Sequence, residues 1–261
     1  MLGRIVAEAI ARAAALSIRR EELGQAANVA PPPPSLKGAL LKAHVAIMAE
    51  VKRRSPSRGS INLSLSAGAQ ALEYASGGAS AISVLTEPVH FGGSTEDLRL
   101  VAQAVTMPVL CKDFIVDELQ IVEARGAGAS AILLIVKALS PNQLPRLLKT
   151  ACEWGLDALV EIRSERELER ALSAGASIIG VNNRNLETLE MDSLTGQRLL
   201  PLIPSDLAAV AESGIVSAKD VEMAAAFGAD AVLVGSSLSR AADPASAVRA
   251  LGSVPRRGRA N

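Results

Sequence analysis

A short phrase recurs along this chain: a glycine, a small or polar link, then an apolar run of strand length. It reads GGASAISVL at 77–85, GAGASAILLIV at 126–136, WGLDALVEI at 154–162, AGASIIGVN at 174–182 and FGADAVLVG at 227–235. Glycine just past a helix is the usual left-handed cap. The stretches before it, such as ELERALSAG and DVEMAAAFG, are rich in helix formers. The repeating unit is therefore helix, glycine, strand. Three further apolar runs, VAIMAEVK (45–52), PVLCKDF (108–114) and LAAVAES (207–213), fit between the copies. Eight strands result, at about 46–52, 80–85, 108–113, 131–136, 157–162, 177–182, 208–212 and 230–234. Strands alternating with helices imply parallel βαβ units. Runs apolar on both faces are what a helix-covered parallel sheet requires. Eight such units predict an α/β fold of the closed (β/α)8, or TIM, barrel type. The alternative, an open doubly wound sheet, wants a glycine-rich phosphate fingerprint after its first strand, and VKRRSPSRG does not supply one.

Composition narrows the function. The 261 residues carry 27 basic and 27 acidic side chains, so the formal net charge is zero, which argues against a nucleic-acid partner. Three Phe, one Tyr and one Trp leave few parts for base-stacking platforms or aromatic cages. Cys111 and Cys152 cannot build a disulfide scaffold and suit a reducing cytoplasm. His44 and His90 stand far apart and in no zinc-ligand spacing. No apolar run approaches the ~18 residues of a membrane-spanning helix. The start, MLGRIVAEAIARAAALSIRR, reads as an amphipathic helix with Ile5, Ile10 and Leu16 on or near one face. A tetraproline, Pro31–Pro34, forms a stiff spacer after it. Residues 1–34 are thus expected to be a helical extension with a Pro-rich linker, 35–252 the barrel, and 253–261 a disordered basic tail.

The polar residues of the strands cluster at their ends. Glu50 and Lys52 end the first strand, Lys112 the third, Glu161 the fifth, Asn182 the sixth and Glu212 the seventh. Alternation puts Glu50 and Lys52 on one face, Lys112 with Leu110 and Phe114, and Glu161 with Leu159. All can point into the C-terminal mouth, where such barrels carry their active sites. A single strand-end charge touching water would mean little. Five strands with the same placement mean more, because buried charges are costly unless paired. Arg184 follows two residues past Asn182. Strand seven runs into Ser213-Gly214 and strand eight into Gly235-Ser236-Ser237, where these barrels often bind phosphate. Ser55 and Ser57, after strand one, offer further donors on the same rim.

The chain resembles indole-3-glycerol phosphate synthases through AEVKRRSPSRG (49–59), SVLTEPVHFGG (83–93), CKDFIVDELQI (111–121), ALVEI (158–162), GVNNRNLETLEMD (180–192), AESGI (211–215) and VLVGSSLSR (232–240). The resemblance implies a (β/α)8 barrel with an N-terminal helical segment. It implies closure of the indole ring of 1-(2-carboxyphenylamino)-1-deoxyribulose 5-phosphate with loss of CO2 and water, without metal or organic cofactor. By the same resemblance Glu50, Lys52, Lys112, Glu161, Asn182, Glu212 and Ser213 are catalytic. Ser55, Gly214, Gly235 and Ser236 match the phosphate site, Arg184, Leu186 and Leu233 substrate-contacting positions, and Phe91 and Phe114 the walls of the anthranilate pocket. Glu87 stands where Asp is commoner, and Cys111 where Arg is frequent. The expected partner is a small phosphosugar-anthranilate substrate, with no nucleic acid and no membrane. The expected unit is a cytoplasmic monomer able to associate with other tryptophan-pathway enzymes.

In this reading Lys112, its pKa lowered by burial, is the acid of ring closure, Lys52 holds the substrate carboxylate, and Glu161 is the later base. How far Lys52 also donates a proton stays open. Two rivals remain: another phosphosugar barrel such as phosphoribosylanthranilate isomerase, which two lysines and three glutamates at the mouth do not fit, and a catalytically dead barrel kept for binding. Cys111 is expected to pack against helices, His90 to be a solvated loop residue, and Trp154 to pack at the opposite end.

Overall fold

The glycine-led strands lie side by side in a computed structural model that describes residues 1–56, 59–60 and 66–259. The barrel strands are β1 (Ala46–Val51), β2 (Ala81–Leu85), β3 (Val109–Lys112), β4 (Ala131–Ile135), β5 (Asp157–Ile162), β6 (Ile178–Asn182), β7 (Ala208–Glu212) and β8 (Ala231–Val234). All are parallel, each pairs with its sequence neighbour, and β8 returns to β1 to close the ring. The glycines of the repeat do what the sequence requires of them. Gly78, Gly128, Gly155, Gly175 and Gly228 have φ between +70° and +93°, a left-handed turn that delivers the chain from helix to strand.

Three helices precede the barrel: α1 (Leu2–Ala15), α2 (Arg20–Val29) and α3 (Leu36–Leu40). The prolines between α2 and α3 carry neither helix nor strand. The outer layer consists of α4 (Ala67–Ser76), α5 (Thr95–Ala104), α6 (Glu118–Gly126), α7 (Gln143–Glu153), α8 (Glu165–Ser173), α9 (Leu194–Leu199), α10 (Ala218–Ala226) and α11 (Pro244–Leu251). Their starts are fixed by Ser94, Asp117, Ser164, Ser217 and Asp243, whose side chains accept first-turn N–H groups.

Two expectations about the termini change. The buried stripe of α1 is Leu2, Ile5, Ala9 and Ala13, while Ile10 is exposed and Leu16 half-buried. Small alanines let this helix lie close against the barrel, and Ile10, about 100° around from Ala9, faces out. The segment is therefore docked along its length. α2 continues the contact: Leu23 and Ala27 pack with Val122 of α6 and with Trp154. The basic tail, expected to be disordered, is bound over its described part, residues 253–259. Val45 N–H donates to Val254 O, Arg256 N–H to Ala43 O, and Arg256 and Arg259 both pair with Asp230 at the start of β8. Arg259 also donates to the carbonyls of Ile203, Pro204, Leu207 and Gly228. A buried carboxylate with two guanidinium partners fixes a segment whose composition alone reads as loose.

Candidate active site

Register brings the strand-end charges to one level. Across the sheet Leu85 pairs with Lys112, Ile135 with Glu161, Glu161 with Gly180, Asn182 with Glu212, and Glu212 with Leu233. These positions surround a cavity of about 240 Å³ at the C-terminal end of the barrel. It is lined by Glu50, Lys52, Ser55, Phe91, Lys112, Phe114, Glu161, Asn182, Arg184, Leu186, Ser213, Gly214, Leu233, Gly235 and Ser236, all marked by the sequence. Glu212 is not among the residues that line the cavity; it is buried and pairs with Lys112. Ser57 lies outside the described residues.

The ionic groups interlock. Glu50, buried, pairs through one oxygen with Lys52 and through the other with Lys112 at 3.0 Å. Lys112 also reaches Glu212 at 3.4 Å. Burial alone would raise the Glu50 carboxyl, but Lys112 and Lys52 outweigh it and hold Glu50 at about 2. Lys112 differs from expectation. Burial acts to lower its pKa, yet Glu50, Glu212 and Glu161 outweigh burial and raise it, so the ammonium stays protonated. Three carboxylates around one ammonium reverse the trend that burial sets. The surplus of negative charge falls on the remaining pair. Burial, then Glu212, push Glu161 up to about 8 against Lys112 and a hydrogen bond from Asn182, and burial likewise raises Glu212. The two titrate as a unit.

Glycines make room for this network. A Cβ at Gly180 would stand 2.1 Å from Glu212 Oε1, and one at Gly235 would stand 2.2 Å from Glu50 Oε1 and 2.7 Å from Lys52 Nζ. Gly235 is thus a notch for the Glu50–Lys52 pair, beyond any part in holding an anion. Two buried polar atoms of the site have no partner among the described residues, Ser55 Oγ and Glu212 Oε1.

The turns after β7 and β8 are held in place. Ser213, at φ +66°, and Gly214, at φ +90°, both take the left-handed conformation. For serine this is a strained state that its surroundings must enforce. Ser213 Oγ donates to Asn182 Oδ1 at 2.9 Å, and Asn183 Nδ2 donates to Ser213 O at 3.1 Å. Ser237 Oγ donates to Ile215 O, joining the two turns. A single 3-10 turn, Leu238–Arg240, follows β8. On the opposite wall the rings of Phe91 and Phe114 lie 6.3 Å apart and tilted by 38°.

Sequence reasoning missed several contributors. Leu133 and Ile135 line the cavity from β4, and their alternation in register with Glu161 could have revealed them. Met1, just before α1, and Ile5 of α1 also line it, which no local pattern announces. Asn183 carries no signal beside Asn182. His90 is not a solvated loop residue: its ring is nearly buried, with Nε2 2.7 Å from Glu8. Glu8, Glu87 and His90 bring potential metal-ligand atoms within 4.8 Å of one another. The Glu87 oxygens, however, are engaged by Arg12 and by the N–H groups of Val89, His90 and Phe91, so the cluster reads as a structural knot. Cys111 is buried, with its Sγ 3.5 Å from the Thr86 hydroxyl.

Comparison with known proteins places the whole chain in one family. The family model described as indole-3-glycerol phosphate synthase matches residues 2–251. Proteins of that name are 48% identical over 242 residues in Mycolicibacterium smegmatis, covering 93% of this chain and 88% of that protein. In a Nocardioides species the identity is 53% over 203 residues, covering 78% of each chain. Among solved structures, 3-hexulose-6-phosphate synthase from Salmonella typhimurium superposes with TM-score 0.64 at 17% identity, covering 79% of this chain and 96% of that one. Thiamine phosphate pyrophosphorylase from Pyrococcus furiosus superposes at 0.61 and 16%, covering 83% and 96%. Those two likenesses speak for the fold alone.

Proposed function

Because this chain belongs to the indole-3-glycerol phosphate synthase family, we infer how its site residues divide one ring closure among them. The enzyme is a carboxy-lyase of tryptophan biosynthesis. It converts 1-(2-carboxyphenylamino)-1-deoxyribulose 5-phosphate into indole-3-glycerol phosphate, releasing CO2 and water. The observation that carries the assignment is the meeting of Lys52 and Lys112 with three carboxylates beside a phenylalanine-walled cavity.

The aromatic ring lies against the wall that Phe91 and Phe114 form together. Its carbon attacks the ketose carbonyl while the Lys112 ammonium donates a proton to the carbonyl oxygen. The raised pKa of Lys112 keeps that proton in place until the substrate arrives. Lys52 faces the substrate carboxylate and steadies charge until CO2 departs. Water then leaves: the proton that Glu161 holds passes to the departing hydroxyl, and the carboxylate so formed takes the ring proton and is left protonated again. Glu50 and Glu212 orient the lysines, and Asn182 with Ser213 positions the intermediate. The phosphate rests on the Ser213-Gly214 and Gly235-Ser236 turns, with Ser55 as a further donor, its hydroxyl buried and unpartnered among the described residues. Arg184, Leu186 and Leu233 complete the contacts.

No described helix is long and apolar enough to cross a membrane. The working unit in this reading is a cytoplasmic monomer that can associate with neighbouring enzymes of its pathway.

The test follows indole-3-glycerol phosphate fluorescence from synthetic substrate. Lys112→Ala should lower kcat on the order of 10²-fold or more while substrate-analogue binding survives. A variant retaining more than about a tenth of wild-type kcat would remove Lys112 from the acid role.

A further inference from the structure

Arg12 of α1 is far in sequence from the mouth of the barrel, yet it touches two carboxylates there. Its Nη1 donates to Glu87 Oε1 at 3.1 Å and its Nη2 to Asp113 Oδ1 at 2.6 Å. Each carboxylate organises a different wall of the substrate cavity. Glu87 is fully buried and accepts the N–H groups of Val89, His90 and Phe91 at 3.0, 2.6 and 3.0 Å, which folds the loop presenting Phe91. Asp113 stands between Lys112 and Phe114 in the chain. It accepts the Phe114 N–H at 2.7 Å and the Thr86 hydroxyl at 2.9 Å, while the Thr86 N–H donates to Lys112 O at 3.2 Å.

These contacts close a circuit from α1 through the loop after β2 to the end of β3. Without a cation between them, Glu87 and Asp113 would be two carboxylates forced together out of water, which is costly. They would separate or take up a proton, and Phe91 would move relative to Phe114 and Lys112. A planar guanidinium can grip both at once. We propose that Arg12 is a positioning residue for the ring closure, tying Glu87 to Asp113 from α1 and thereby fixing Phe91, Phe114 and Lys112 relative to one another. The proposal rests on the assignment of those three residues to the substrate site.

The test uses the full chain and four variants. Arg12→Met keeps most of the side-chain volume and removes the grip. Arg12→Lys keeps the charge but offers one ammonium in place of a fork. Ile10→Ala alters an exposed residue of the same helix. Lys112→Ala probes the site itself. Melting temperature, kcat, KM and the affinity for anthranilate by calorimetry are measured for each, with kinetics well below every melting point. Arg12→Met should lose about tenfold or more in kcat/KM, through a higher KM, a lower kcat and weaker anthranilate binding together. Arg12→Lys should fall between it and wild type, and Ile10→Ala should match wild type. A merely structural role predicts lower melting temperatures with kcat, KM and anthranilate affinity unchanged, and that result overturns the proposal. If Arg12→Met does not fold, Arg12→Lys decides on the same criteria. Should Lys112→Ala be inactive while the Arg12 variants are kinetically normal, the clamp alone falls. Should Lys112→Ala be fully active, the site assignment falls, and the clamp with it.

Discussion

Glu161 shows how one side chain trades stability for reactivity. Its carboxyl is raised from the usual 4.5 to about 8 by burial and then by Glu212. A raised carboxyl binds a proton more tightly in the folded chain than in the unfolded one. Between about pH 4.5 and 8 the folded chain therefore holds a proton that the unfolded chain has released, and stability falls as pH rises through that window. Glu161→Gln removes this penalty and keeps the shape. The variant should melt close to wild type at pH 5 and a few degrees above it at pH 8, as scanning calorimetry would record. An advantage that shrinks between pH 5 and pH 8 would contradict the assignment. The sequence placed Glu161 correctly, because strand alternation is local. It misjudged Lys112, because the direction of that shift depends on how many carboxylates three other strands deliver within reach. Such a count appears only once the ring is closed.

At the scale of elements, the strands were easier to read than the helices that cover them. Parallel strands buried on both faces leave unbroken apolar runs, and a left-handed glycine before five of the eight marks where they begin. All eight boundaries fell within a residue or two of the structure. The N-terminal helix was harder, since in an alanine-rich segment the large side chains do not define the buried face. Ile10 was the natural choice, and the structure buries Ala9 instead. Ala9→Asp tests how α1 is held. A charge at this fully buried position cannot stay in place unpaired. Its cost is limited by the helix letting go, so α1 should detach while the barrel persists. Limited proteolysis should then cut within residues 1–34, and kcat/KM should fall about tenfold or more as Met1, Ile5 and Arg12 leave the mouth. Protection equal to wild type would show that α1 tolerates the charge.

For the whole molecule, the two ends of the barrel answer to different demands. The C-terminal end holds charges of both signs, buried polar atoms without a partner among the described residues, Ser55 Oγ and Glu212 Oε1 among them, and a left-handed serine. The N-terminal end is fastened: Asp230 accepts from Arg256, Arg259 and the Ala209 N–H. Asp230→Ala leaves the nearly buried Arg259 guanidinium without its counter-charge, which should cost about 3 kcal/mol or more. At this chain length that is on the order of 6–12 °C in melting temperature, with kcat unchanged at low temperature. A loss of kcat without a loss of stability would mean that the two ends communicate. The seam of the barrel carries a further consequence. Glu50 and Lys52, from the first strand, occupy the notch left by Gly235 just beyond the last. The start of the barrel thus supplies charges, and the turn that ends its last strand supplies the space they fill. A nascent chain holds its lysines and glutamates long before they can act together. The pocket is therefore whole only where the two ends of the barrel's sequence meet, the last strand lying against the first.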